Sequence, residues 1–218
     1  MHALLEFHPT LEFLKVFPIY QEKYSHTVII RIFYTNDLNN DGKLSYREFR
    51  KSNLMTMFKR VCEENDLNQI REYFSYDHFY VIYCVFWKLD NNDTSIDKEA
   101  FSKYGGHALS HKVVDRIFSQ VPLKFKSGNS DKMSFEDFVW FILSEEDKQT
   151  RTAIEYWFKV IDLDDNGIIT PHEMNYFYEE QYNRYGYLNE GEQVTFSDLL
   201  CQMYDLIKPE KEYQWTMK

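Results

Sequence analysis

The sequence has little of what many functions require. Seven glycines and five prolines among 218 residues leave few turns and breaks, which points to a helix-rich chain with short connections. Three cysteines, Cys62, Cys84 and Cys201, are too few and too scattered for a disulfide framework. Each sits in an apolar stretch, so buried reduced thiols are expected, and no Cys–His pair has zinc spacing. The longest apolar run, Phe79 to Trp87 (FYVIYCVFW), is too short to span a bilayer. The opening MHALLEFHPTLEFL has acids and histidines but no basic lead, so no secretory leader is expected. Glycine-rich phosphate loops, nucleophile elbows and zinc-protease helices are missing from the sequence. The seven histidines are dispersed. Catalysis by this chain alone is not expected.

Positive charge is also short. The formal net charge is −10, which argues against nucleic acid or an anionic membrane surface as partner. It suits cations or a basic protein face. The expected location is the cytoplasm, with the nucleus or cytoskeleton as further sites. Apolar residues make up 44% and aromatic residues 18% of the chain, the composition of a packed core rather than a disordered chain.

A short phrase recurs. An apolar residue is followed by Ser, Thr or Asp, and usually by an acid three residues later. The phrase appears at Leu44-Ser45-Tyr46-Arg47-Glu48, Phe74-Ser75-Tyr76-Asp77-His78 and Ile96-Asp97-Lys98-Glu99-Ala100. It returns at Met133-Ser134-Phe135-Glu136-Asp137, Ile169-Thr170-Pro171-His172-Glu173 and Val194-Thr195-Phe196-Ser197-Asp198, and Trp215-Thr216-Met217 begins another. The apolar residue reads as a short extended piece, the hydroxyl or carboxyl as a helix N-cap, and the acid as the second half of a capping box. An apolar helix follows each time. The expected fold is all-α, built from tandem helix–loop–helix pairs joined by short two-stranded bridges. Pairing in order would join Leu44 with Phe74, Ile96 with Met133, and Ile169 with Val194. Residues 1–147 would form an N-terminal lobe and 148–218 a C-terminal one. Phe79 to Trp87 would be a buried helix shared between two hands.

A capping box accounts for Thr170 and Glu173 without any metal. It does not account for Asp162, Asp164 and Asn166 on alternate positions, with Gly167 straight after them. Such side chains in a tight loop repel unless a cation lies between them. Calcium takes six to eight oxygens, and a twelve-residue EF-hand loop supplies them at this spacing. Asp162, Asp164 and Asn166 would give side-chain oxygens, Ile168 its carbonyl, Thr170 a direct or water-mediated contact, and Glu173 both carboxylate oxygens. Asp37 to Glu48 passes the same test. Asp37, Asn39, Asp41 and Glu48 fall on ligand positions, Lys43 offers its carbonyl, and Gly42 makes the turn. Lys43 and Arg47 add positive charge beside this second site, which should weaken it a little.

The other loops have lost these ligands. The second offers Asn65 and Asn68 but has His78 at the closing position; the third, over 89–101, keeps the acidic start LDNND, which leaves its calcium competence open, but is one residue short and closes on Ala100 or Phe101. The fourth has Lys124 and Lys126 in place of acids, and the sixth has Tyr187 at its first position. They are expected to persist as bridging partners of the intact loops.

Longer phrases carry a family resemblance. HPTLEFL (8–14), TVIIRIFY (27–34), YFSYDHFYVIYCVFWKLD (73–90), DRIFSQVP (115–122) and FVWFILSEEDK (138–148) begin the series. EYWFKVIDLD (155–164), YFYEEQ (176–181) and LLCQMYDLIKPE (199–210) continue it. Together they closely resemble the B″ (B-double-prime) regulatory subunits of protein phosphatase 2A, over nearly the whole chain. The resemblance implies a calcium-binding subunit that docks on the phosphatase scaffold and catalytic subunits and directs which phosphoserine and phosphothreonine proteins are dephosphorylated. The chemistry would belong to the catalytic partner. Family members usually extend past both ends of this chain, whose last phrase stops at Lys218, which points to a fragment, a truncated gene or a shortened relative. The alternative is a free-standing calcium sensor or buffer. Seven methionines, with Met55 and Met57 the one close pair, suit a methionine-lined sensor groove poorly.

Overall fold

The computed structural model describes residues 2–89, 94–188 and 194–217. In chain order the elements begin with α1 (His2–Phe7), a 3-10 stretch (Pro9–Val16), α2 (Pro18–Asn36), α3 (Tyr46–Lys51), α4 (Leu54–Glu63) and α5 (Tyr76–Leu89). There follow β1 (Ile96–Asp97), α6 (Lys98–Ser102), α7 (His111–Phe118), β2 (Lys132–Met133) and α8 (Phe135–Glu146). The chain ends in α9 (Arg151–Ile161), α10 (Pro171–Leu188) and α11 (Phe196–Ile207). The all-α expectation is met.

Helix starts follow the repeated phrase because its hydroxyls and carboxyls satisfy amides that the first turn leaves unpaired. Full capping boxes form at Ser45 with Glu48 and at Ser134 with Asp137. The Ala100 amide donates to Asp97 at 2.7 Å, the His78 amide to Ser75 Oγ at 3.2 Å, and the Asp198 amide to Thr195 Oγ1 at 3.2 Å. Ser110, which lies outside the phrase, caps α7 by accepting from the Val113 amide at 3.2 Å.

The bridges are only partly those expected. β1 and β2 form a two-stranded sheet, as the pairing of Ile96 with Met133 requires. Ile169, however, pairs with Trp215 and not with Val194: its amide donates to Trp215 O at 2.8 Å, and the Trp215 amide returns a bond to Ile169 O at 3.1 Å. Trp215 is 5% exposed and Val194 57% exposed, so the observed pairing buries the larger apolar side chain. The Val194 carbonyl is instead taken by the Tyr178 hydroxyl. Among the described residues no bridge joins Leu44 to Phe74. The Phe74 carbonyl accepts from Tyr24 Oη at 2.7 Å.

Contacts group the chain into two compact units, one of Met1–Ile96 and Lys132–Ala153, the other of Asp97–Asp131 and Ile154–Lys218. Residues 97–131, expected in the N-terminal lobe, thus fall in the second unit.

The first unit is built on α8, whose sequence FEDFVWFILSEE is apolar almost all round and packs against α2 and α5. Tyr34 meets Trp140 edge-on with ring centroids 5.0 Å apart, and Phe86 lies 5.3 Å from Phe135 and 5.5 Å from Phe138. Arg31 is buried in α2, where it donates to the carbonyls of Tyr73, at 2.9 Å, and of Arg71. Burial lowers its guanidinium pKa to about 10, so it stays charged at neutral pH. Helix α5 is not buried on every side. Phe79, Ile82, Tyr83 and Phe86 face inward at helical spacing, while Tyr80 and Val81 are 48% and 56% exposed. The cysteines also differ from expectation: Cys62 and Cys201 are exposed and Cys84 half-buried, all as free thiols. They lie on the outer sides of amphipathic helices, a placement that local apolar composition does not reveal.

A polar clasp joins α2 to α8. His26 Nδ1 lies 2.6 Å from Glu136 Oε1, and Lys23 Nζ lies 3.7 Å from the same oxygen. Burial opposes ionisation of Glu136, but the bond from His26, its backbone bond and Lys23 outweigh it and hold the carboxyl below its usual range. A carboxylate held low stabilises the fold above its unfolded pKa, and that gain is lost as pH falls through the folded value. Glu136→Gln should therefore cost about 1 kcal/mol at pH 7, and the deficit should vanish in acid. Melting curves of both proteins from pH 7 to 3 check this; a deficit independent of pH would contradict it.

The second unit packs α7 against α6 and α10, and α10 against α11. Phe118 lies between Phe101 at 5.6 Å and Phe125 at 5.4 Å, and Tyr178 meets Phe196 at 5.3 Å. Among the described residues no helix is long and apolar enough to cross a membrane.

Candidate metal centre

The loop between α9 and α10 turns on two left-handed residues, Asp165 with φ 56° and Gly167 with φ 80°. Glycine enters this region freely, and a short Asx side chain is among the few others that tolerate it. The tightness of the turn gathers polar side chains inward. Asp162 is buried and accepts from the Asn166 amide at 3.2 Å and the Gly167 amide at 2.8 Å. Asp164 accepts from the Asn166 amide at 3.2 Å and side-chain Nδ2 at 2.8 Å, and Asn166 Oδ1 accepts from the Ile168 amide at 2.7 Å. Glu173 returns from α10 to close the loop. Its Oε1 accepts from the Leu163 amide at 2.7 Å, and its Oε2 from the Thr170 amide and hydroxyl, both at 2.8 Å.

The capping contact from Glu173 back to Thr170 and the acidic cluster therefore coexist. Carboxylate oxygens of Asp162, Asp164 and Glu173 lie within 4.8 Å of one another. Oxygens arranged about one calcium ion at 2.3–2.6 Å span about this distance, so the donor set fits a hard divalent cation.

The loop between α2 and α3 repeats the design position by position. Asn40 (φ 53°) and Gly42 (φ 74°) supply the left-handed turn. Asp37 is buried and accepts from the Asp41 amide at 3.2 Å and the Gly42 amide at 2.8 Å. Asn39 Nδ2 donates to Asp41 at 3.1 Å, and Asp41 Oδ1 accepts from the Lys43 amide at 2.8 Å. Glu48 Oε2 accepts from the Ser45 hydroxyl at 2.7 Å and the Ser45 amide at 2.9 Å. These bonds, the hydroxyl first, hold its carboxyl below the usual range. Asn39 stands where the other loop has Asp164, and no second cluster of three acids as tight occurs among the described residues.

Comparisons with known proteins follow the same two loops. A family model described as an EF-hand domain matches residues 1–64, and one described as an EF hand matches 154–177. The chain is 53% identical over its full length to an Arabidopsis thaliana protein named as a probable B″-epsilon regulatory subunit of serine/threonine protein phosphatase 2A, covering 41% of that protein. It is 45% identical, again over its full length, to the human B″-alpha regulatory subunit of the same phosphatase, covering 19% of it. A solved structure named as a PP2A PR70 holoenzyme and labelled diCa aligns over 99% of this chain and 79% of its own, with a TM-score of 0.91 and 44% identity. The chain belongs to the B″ family of phosphatase 2A regulatory subunits. It spans about two fifths of the Arabidopsis relative's length.

In this B″ family member two of the other loops spend described polar groups on structure. In the second, Asn68 Oδ1 accepts from the Asp77 amide at 2.9 Å, and His78 Nε2 lies 2.7 Å from Glu146 Oε2. In the fourth, Asp137 is buried in its capping box with Ser134. Residues 90–93 of the third loop and 189–193 of the sixth lie outside the described residues, as does the Tyr187 side chain. Sequence reasoning missed Arg116 of α7, which reaches the loop between α9 and α10. No local motif marks it, because the contact spans more than forty positions.

Proposed function

We propose that this chain is a calcium-responsive regulatory subunit of protein phosphatase 2A. It would dock on the scaffold and catalytic subunits and direct which phosphoserine and phosphothreonine proteins reach the catalytic partner. The carrying observation is the likeness to a holoenzyme subunit over 99% of the chain, which supports a subunit's role over that of an isolated sensor.

In this reading Asp37, Asn39, Asp41, the Lys43 carbonyl and Glu48 form one calcium site. Asp162, Asp164, Asn166, the Ile168 carbonyl and Glu173 form the other. A calcium ion supplies the positive charge that these oxygens lack among themselves. The chain's own part is to hold the oxygens converged: Gly42 and Gly167 fold the loops back, Ser45 and Thr170 aim the closing glutamates, and the helix ends fix both flanks. Binding confined to the folded state stabilises it by mass action, and re-angling of the flanking helices changes the surface offered to a partner.

The test is affinity capture of the purified chain by phosphatase 2A scaffold and catalytic subunits, once with calcium and once with chelator. Capture that differs between the two is the expected result. No capture in either, with calcium binding intact, would replace the proposal with a free-standing sensor or buffer.

A further inference from the structure

Helix α9 ends at Ile161, and its final carbonyls have no amide farther along the helix to accept from. The Asp162 amide takes Phe158 O at 2.9 Å. The next carbonyls are met from outside the hand. Arg116, on α7, donates Nη2 to Lys159 O at 2.9 Å and Nε to Val160 O at 3.1 Å. The same guanidinium donates to Asp162 O at 2.6 Å. A planar cation with several fixed donors suits the negative end of a helix dipole. Here it also grips the backbone of the residue that opens the acidic loop.

Helix α7 is tied to the other flank of that loop as well. Glu180 of α10 accepts from the His111 amide at 2.6 Å and the Lys112 amide at 2.9 Å. Lys112 Nζ sits 3.9 Å from the centre of the Tyr176 ring. The helices on both sides of the 162–173 loop thus hold one helix that supplies no ligand. The 37–48 loop offers a comparison. Tyr34 stands three residues before Asp37, as Lys159 stands three before Asp162, and the Tyr34 carbonyl is met by the neutral Thr152 hydroxyl at 2.8 Å. One hand has a hydroxyl where the other has a three-carbonyl guanidinium clamp.

We propose that Arg116 is a positioning residue for the cation site at 162–173, fixing the end of α9 and the backbone of Asp162, so that α7 helps set the affinity of a loop to which it gives no ligand. This rests on the calcium reading above. A loop held in its binding geometry before the ion arrives loses less freedom on binding. Groups that orient a ligand in this way are worth ten- to a hundredfold in metal affinity. Simple repulsion between guanidinium and cation would act in the opposite direction.

The experiment is a calorimetric calcium titration of the full chain carrying Glu48→Gln, which leaves 162–173 as the site measured. Adding Arg116→Ala should weaken binding about tenfold. Arg116→Lys should fall between, since lysine keeps the charge but not the fork. A purely structural role would lower the melting temperature in chelator and leave the affinity unmoved, which would overturn the proposal, as would tighter binding by Arg116→Ala. If Arg116→Ala does not fold, Arg116→Lys decides: parental affinity overturns the proposal, and weaker binding with a parental melt in chelator supports it. Absence of calcium uptake at 162–173 with Arg116 intact would overturn the calcium reading and this inference together, whereas uptake unaffected by Arg116 overturns the inference alone.

Discussion

Glu173→Gln is expected to weaken calcium binding at the 162–173 loop by on the order of a hundredfold while leaving the helix start intact. The buried Glu173 carboxylate lies with those of Asp162 and Asp164 inside a 4.8 Å cluster. Glutamine is nearly isosteric, and it can still accept at the capping position from Thr170. What it cannot supply is a second anionic oxygen, and charge count is what tunes affinity in these loops. Stoichiometry in a calcium titration should fall from two ions per chain to one at concentrations that saturate the parent. With Glu48→Gln added, binding in that range should disappear. The same variants should lose the rise in melting temperature that calcium gives the parent. Two ions still bound by the double variant, at parental affinity, would mean that these loops are not the sites.

Phe138→Ala should have the largest effect on stability, about 3–5 kcal/mol, a large part of the 5–15 kcal/mol typical of a whole domain. Phe138 is fully buried in α8, with Phe86 at 5.5 Å and Phe141 at 6.1 Å. Its removal takes away the transfer energy of the ring and leaves a void among residues that are themselves rigid aromatics, so little can collapse into it. Chemical denaturation followed by tryptophan fluorescence reads the loss, helped by Trp140 in the same helix. A loss below about 1 kcal/mol would show that α8 is not the centre of the first unit's core. Tyr80→Ala, on the exposed side of α5, should change stability far less.

Much of the candidate site was legible because an EF-hand loop is a local object. Twelve consecutive residues determine the turn, the order of oxygen-bearing side chains and the closing glutamate, so the turns of Asp37 to Glu48 and Asp162 to Glu173 form in the structure with the register their spacing implies. The helix starts were legible for the same reason, since a cap and its amide are three residues apart. Bridge partners were not. Ile169 could pair with any apolar residue in an extended piece, and the choice of Trp215 over Val194 depends on which side chain the second unit can bury. The sidedness of α5 was hidden too, because a run of apolar residues reads alike whether one face or all of it is covered.

The sequence by itself determined the helical class, the capped helix starts and the two loops that gather oxygen-bearing side chains around a left-handed glycine, all of which follow from residues within a dozen positions of one another. Only the tertiary structure decided that Trp215 closes the bridge to Ile169, that α8 forms the core of the first unit, and that Arg116 clamps the end of α9. Those contacts join residues far apart in the chain. Their partners are selected by burial and by the need to satisfy helix-end carbonyls, and neither has a local signature.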